Sequence, residues 1–100
     1  MFNEDQLKQI ELGIIAGVDV SIYAKPEFGY GQMQEIRWGL EDGVEVTIYA
    51  KPEFCGGQML QIRVGLGMGL DVSVYAKVEF NMDQMWQMRL RLWEEKKNVQ

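Results

Sequence analysis

The sequence contains no histidine, a single cysteine, two prolines and no apolar run long enough to cross a bilayer. Without histidine, Ser-His-Asp triads, imidazole bases and most zinc sites are excluded. The single cysteine, Cys55, cannot form a disulfide within the chain, which favours a cytoplasmic protein. The opening segment MFNEDQLKQ is acidic and polar, so it predicts no secretory signal.

The charge balance also limits the choice of partners. Ten basic residues stand against fifteen acidic ones, a net charge of −5 at pH 7. Such a chain is repelled by phosphate backbones, so we expect no direct binding to nucleic acid. With 47% hydrophobic and 25% charged residues the composition is typical of a globular protein, and it predicts no membrane association.

A period of 26 residues runs through the chain. The stretch IYAKPEF occurs at residues 22–28 and again at 48–54, and VYAKVEF follows at 74–80. Such a period is too short for a domain and too long for one helix, so it predicts supersecondary units stacked in one repeat domain. The four units cover residues 2–27, 28–53, 54–79 and 80–100.

The first half of each unit has the spacing of a helix. Asn3 and Gln6 form the pattern of a capping box, and Phe2 with Leu7 has the spacing of a hydrophobic staple. Apolar trios at intervals of three and four predict a core-facing stripe, namely Leu7, Ile10 and Ile14, then Met33, Ile36 and Leu40, then Met59, Ile62 and Leu66. Glycines 17, 43 and 69 are predicted C-caps, whereas glycines 13, 39 and 65 lie inside the helix, where we expect a close helix crossing.

The second half of each unit, at residues 18–24, 44–50 and 70–76, allows two interpretations. Val18, Val20 and Ile22 alternate with polar residues as in a strand. Alternatively, Asp19 is the N-cap of a short helix that ends before Pro26. We favour the short helix and predict an all-α solenoid of helix-turn-short-helix repeats with an extended C-terminal capping helix. The alternative is a β/α solenoid with short parallel strands. In both, the repeated heptapeptide is a joint between units.

The phrase F-x-x-x-Q-M-x-x-I-R-x-G-L, carried by Phe28–Leu40 and Phe54–Leu66, resembles tandem repeat proteins predicted in mobile elements of gut Firmicutes. Unit one departs from the phrase at Leu7 and Glu11, and unit four at Arg91. The resemblance implies a helical array and a mobile-element setting, in which small proteins often inhibit host defence systems such as CRISPR nucleases. It implies no catalytic residue.

Candidates for chemistry are few. Cys55 falls at a helix N-cap without a base to activate it, and we interpret it as a tolerated small residue. The segments FGYGQM and FCGGQM lack the lysine and hydroxyl of a phosphate-binding loop and are better explained as cap variants. The acids Glu41, Asp42 and Glu45 cluster around one turn but favour a solvated surface over a cation site. We therefore predict no enzyme, no cofactor and no metal.

Residues that differ between units are free to serve a partner. Trp86, Leu90 and Trp93 form a second apolar stripe on the last helix, beside the core stripe. Two interpretations are open, because the stripe could seal the end of the solenoid by packing inward or could form an intermolecular surface.

These patterns predict a non-enzymatic protein-binding module, acting as an acidic inhibitor of a nucleic-acid-handling defence complex. A homodimer through the fourth helix is also expected, and the runner-up function is a self-associating structural or assembly protein. The predicted partner-binding residues are Trp38, Glu41, Asp42, Glu45, Leu60, Val64, Trp86, Leu90 and Trp93.

Overall fold

The computed structural model describes residues 1–98, and within them every regular element is helical. The elements are α1 (Glu4–Ala16), η1 (Val20–Ile22), α2 (Tyr30–Asp42), η2 (Val46–Ile48), α3 (Gly56–Gly67), η3 (Val72–Val74) and α4 (Met82–Asn98), where η denotes a single 3₁₀ turn. The all-α prediction is confirmed, and the β/α alternative is wrong for the described residues. The last two residues of unit four, 99–100, lie outside this description.

The helix boundaries follow from the predicted caps. Asn3 accepts a hydrogen bond from the Gln6 backbone N–H at 2.8 Å, and the Gln6 side chain accepts one from the Asn3 N–H at 2.8 Å. The capping box is therefore confirmed. At the other end, Gly17 and Gly43 have φ values of 77° and 75°, a left-handed conformation that side-chain-bearing residues avoid. The second helical element needs only one turn, with Asp19 as its N-cap.

Consecutive α-helices pack side by side and run parallel. Their direction follows from the contacts, because early residues of one helix meet the start of the next, as with Gln6 and Phe28, and late residues meet late ones, as with Met68 and Lys96. The array measures 46 × 27 × 16 Å, so it is an elongated slab. No helix of residues 1–98 is long and apolar enough to cross a membrane.

The core lies between the α-helices and the 3₁₀ turns. It is built from the same repeat positions in successive units, with tyrosine from each turn and methionine and isoleucine from the helices. Its most deeply buried members, each at 0% exposure, are Tyr23, Met33, Ile36, Tyr49, Met59, Ile62, Tyr75 and Met85.

The core stripe predicted for unit one is wrong at two of its three residues. Leu7 and Ile14 are 51% and 63% exposed, although Met33 and Met59 at the position of Leu7 are fully buried. In α2 and α3 this side of the helix packs against the preceding helix, whereas no helix of residues 1–98 covers it in α1.

The glycines inside the helices do not mark a helix crossing, so that expectation is wrong. A Cβ placed on Gly13 would collide with the hydroxyl of Tyr23 and lie 2.6 Å from Val20 Cγ1. Gly39 and Gly65 stand in the same relation to Tyr49 and Tyr75. Each glycine therefore makes room for the tyrosine of its own unit, which reaches up from the 3₁₀ turn to the helix.

Candidate functional site

A glutamine joins each unit to the next. The Gln6 side chain accepts the cap hydrogen bond of its own helix, and its Nε2 donates to the backbone oxygen of Phe28 at 2.7 Å. Gln32 and Gln58 repeat both roles, donating to Phe54 O at 2.6 Å and to Phe80 O at 2.7 Å. One side chain thus fixes both the start of a helix and the position of the following unit.

An arginine ladder forms a second joint. Arg37 donates from Nε to Gln9 Oε1 at 3.1 Å, Arg63 to Glu35 Oε1 at 2.8 Å, and Arg89 to Gln61 Oε1 at 2.9 Å. Each arginine reaches a residue 28 positions earlier, so the joint crosses from one helix to its neighbour. Sequence reasoning missed this ladder; the repetition of arginine at positions 37, 63 and 89 was the available signal.

The buried tyrosines complete the scaffold. Tyr23, Tyr49 and Tyr75 each donate a hydrogen bond of 2.6 Å to a backbone oxygen of the helix in their own unit. Burial raises the pKa of Tyr75 to about 12, only partly offset by the positive charge of Arg89, and it raises the pKa of Tyr23 and Tyr49 as well. These hydroxyls therefore stay protonated as donors at neutral pH.

The apolar stripe on α4 lies open to solvent. Trp86, Leu90 and Trp93 are 46%, 38% and 37% exposed, and their spacing of four and three residues places them on one face of the helix. Met85, one residue from Trp86, is fully buried on the core side. The interpretation in which the stripe packs inward and seals the solenoid is therefore not what the structure shows.

This stripe continues across the neighbouring helices. Leu60 and Val64 occupy on α3 the repeat positions of Trp86 and Leu90, and Trp38 occupies the position of Leu90 on α2. All three are half-buried. Because the helices are parallel and adjacent, the stripes lie side by side in one surface. We call it the apolar face, consisting of Trp38, Leu60, Val64, Trp86, Leu90 and Trp93.

Arginine side chains fix the edge of the apolar face at Trp38. The guanidinium carbons of Arg37 and Arg63 lie 5.7 Å and 5.3 Å from the centre of the indole ring. Both distances are within the range of a cation–π contact. Because Arg63 belongs to α3, Trp38 is held in place from two helices and is oriented before any partner arrives.

The predicted acidic cluster is engaged within the array. Glu41 accepts a hydrogen bond from Arg37 at 2.6 Å, and Asp42 lies 3.7 Å from Arg63. Glu45 accepts a hydrogen bond from the Thr47 hydroxyl at 2.6 Å. Glu41 is thus paired with Arg37, whereas Asp42 is 61% exposed and shares Arg63 with Glu35, so the negative charge at the rim of the apolar face is only partly balanced.

The described residues offer little for chemistry. Within residues 1–98 no group of three acidic, cysteine or histidine side chains is placed to hold a metal ion. Cys55 is exposed at the start of α3, where its backbone N–H donates to Gln58 Oε1 at 2.9 Å. An open groove runs along α1 and is lined by Glu4, Leu7, Lys8 and Glu11. The apolar face is the better candidate site, because it combines exposed tryptophans with a fixed scaffold.

Comparison with protein-family models, with curated proteins and with solved structures found no match to this chain.

Proposed function

We propose that this protein binds a protein partner through the apolar face and acts by occupying the partner's surface. The observation that carries the proposal is the exposure of Trp86, Leu90 and Trp93 on one side of α4. Tryptophan is the residue most enriched among binding hot spots, and contiguous exposed apolar surface is uncommon on monomers without a partner.

The scaffold suits this role because it presents the face rigidly. The glutamine and arginine joints hold consecutive helices in register, and buried tyrosines lock each turn to its helix. A surface fixed before binding loses less conformational entropy when the complex forms. The face should therefore bind without rearrangement of the array.

For the partner we propose a nucleic-acid-handling defence complex, such as a CRISPR nuclease. The support is the repeat phrase with its mobile-element resemblance and the net charge of −5, which favours approach to a basic surface. Because Glu41 is paired with Arg37, and Asp42 shares Arg63 with Glu35, we expect the apolar contacts to supply the larger share of the binding affinity. Binding should then depend only moderately on salt.

Co-expression with a panel of CRISPR nucleases, with target cleavage as the readout, tests the proposal. Trp86→Glu should weaken inhibition strongly, since loss of a hot spot of about 2 kcal/mol weakens binding roughly 30-fold. Val74→Glu is the control, because Val74 is 48% exposed in η3 and does not lie on the α-helices that carry the face. Unchanged cleavage by every nuclease with the wild-type protein would contradict this choice of partner.

A second set of variants separates apolar from acidic binding. Glu41→Gln, Asp42→Asn and Glu45→Gln together remove three charges while keeping acceptors for the arginines and the Thr47 hydroxyl. We expect this triple variant to keep most of the inhibition. If it loses inhibition as fully as Trp86→Glu does, the rim carboxylates carry the binding and the apolar face does not.

The same tryptophans could instead join two copies through α4. Sedimentation of the wild type and of Trp86→Glu with Trp93→Glu decides this point. A wild-type dimer that the double substitution converts to a monomer would assign the face to self-association, the runner-up function.

A further inference from the structure

We propose that copies of this chain join head to tail, the outer side of α1 in one copy packing on the outer side of α4 in the next. This interface does not depend on the proposed function, although Leu90 of the apolar face borders it, since Trp38 at the same repeat position contacts Arg63 of the following helix. It would extend the array by the contacts that already join its units.

The outer side of α1 has the shape and chemistry of a helix-packing surface. Leu7 is 51% exposed, whereas Met33, Met59 and Met85 at the same repeat position are fully buried by the preceding helix. Repeat arrays usually end in a polar face at such a position. Here the open face carries the exposed apolar residues Leu7 and Ile14 beside a groove whose other lining residues are charged, namely Glu4, Lys8 and Glu11.

The outer side of α4 retains the residues that hold a following unit elsewhere in the chain. Gln84 stands at the position of Gln58, whose Nε2 donates to Phe80 O at 2.7 Å. Gln87 stands at the position of Gln61, which accepts from Arg89 at 2.9 Å. Both glutamines of α4 are exposed. Applied between copies, the same register places Gln84 Nε2 against the carbonyl of Phe2 in the next copy.

Hydrogen-bond complementarity at the ladder position identifies a second copy as the occupant. Unit one carries Glu11 where the other units carry arginine, so its side chain accepts hydrogen bonds instead of donating them. On α4 the facing residue at this position is Gln87, whose amide can donate to that carboxylate. In this pair the glutamine of α4 donates and Glu11 of the next copy accepts. In the arginine ladder, by contrast, the later helix donates and the earlier one accepts, so the hydrogen bond is kept with its direction reversed.

Two features make this junction weaker than the internal ones. No tyrosine turn lies beneath the outer side of α4 in the described residues, and Glu94 stands at the position of Asp42, near the incoming Glu11. Lys97 lies 3.5 Å from Glu94 and offsets part of that charge. Because the two joined surfaces differ, association does not close at two copies, and the mean size should rise with concentration.

Sedimentation velocity on two variants, each with one of the two outer surfaces blocked, tests the proposal. Leu7→Glu blocks the outer side of α1, and Gln87→Glu, which sets a carboxylate against Glu11, blocks that of α4; both residues are exposed, so the fold should survive. Each variant alone should stay at the monomer mass of 11.6 kDa. Their mixture should form a species of twice that mass that grows no further, because one intact surface of each kind remains.

The proposal would be overturned if the wild type stayed monomeric up to about 1 mM, or if the mixture of the two blocked variants stayed monomeric. It would also be overturned if the double substitution Trp86→Glu with Trp93→Glu abolished self-association. Glu11→Arg checks the register, since it recreates the Arg37–Gln9 pairing across the junction and should tighten association about tenfold. Weaker association of Glu11→Arg would likewise refute it. A failure here leaves the nuclease assay of the apolar face unaffected.

Discussion

Replacing Gly39 with alanine should destabilise the fold even though alanine is the better helix former. The new Cβ would collide with the Tyr49 hydroxyl and lie 2.6 Å from Val46 Cγ1. Neither neighbour can move freely, because Tyr49 is fully buried and its hydroxyl donates to Glu35 O at 2.6 Å, while Val46 is 3% exposed.

The expected cost follows from three opposing terms. Overpacking in a filled core costs about 1–3 kcal/mol. Loss of the tyrosine hydrogen bond adds about 1 kcal/mol. The gain in helix propensity from glycine to alanine returns about 1 kcal/mol. The net loss in the free energy of unfolding should therefore be about 1–3 kcal/mol, or about 4–8 °C in melting temperature for each kcal/mol.

Urea denaturation followed by tryptophan fluorescence measures this loss, and the chain supplies its own control. Gly31 lies in the same helix, and a Cβ at that position would have no neighbouring atom within 4 Å, so Gly31→Ala should leave stability unchanged or raise it. In a Tyr49→Phe background the penalty of Gly39→Ala should shrink, since the hydroxyl is gone, though Val46 still resists. A Gly39→Ala protein as stable as wild type would refute the tyrosine–glycine contact.

Further predictions concern the joints and the tyrosines. Gln58→Ala should lower the free energy of unfolding by about 1–3 kcal/mol, because it removes the cap of α3 and leaves a carbonyl of the next unit without its donor. Gln84→Ala at the open end should lower it less, because only the cap hydrogen bond of α4 is lost. Chemical denaturation of both variants compares the two losses. Glu35→Gln should lower the free energy of unfolding by under about 1 kcal/mol, since arginine binds glutamine in two other joints. Arg63→Met should lower it more, because it leaves a buried carboxylate unpaired. Equal losses for the two variants would contradict this. For Tyr75 the folded pKa of about 12 lies above the ordinary value of 10, so its contribution is complete below pH 10 and declines as pH rises towards 12. Tyr75→Phe should flatten that decline in alkaline denaturation, and an unchanged profile would argue against a buried hydroxyl.

The elements that the sequence predicts well are those fixed by neighbouring residues. The two residues of the capping box, Asn3 and Gln6, are three positions apart, and the left-handed Gly17 follows directly after the end of its helix. Such contacts are encoded in spacing alone. The 26-residue period then predicts that each unit repeats them, which is why the all-α array could be expected from the sequence.

What the sequence could not supply are contacts between residues far apart along the chain. The partner of Gly13 is a tyrosine ten residues later, and nothing in helical spacing indicates that a turn would place its hydroxyl there. Arg37 likewise finds Gln9 only because two helices lie in one register. The contact of Asp42 with Arg63 likewise crosses the helix junction, so its spacing in the sequence does not indicate it.

The joints make the length of the array adjustable. Deleting residues 28–53 would bring Gln6 to the carbonyl of Phe54 and Arg63 to Gln9, each a pairing of a kind already present in the chain. Duplicating the same segment would lengthen the slab without a new contact type. The helices that carry the apolar face can thus be added or removed in whole steps of 26 residues, whereas an insertion of another length inside an α-helix would put a glutamine or an arginine out of reach of its partner.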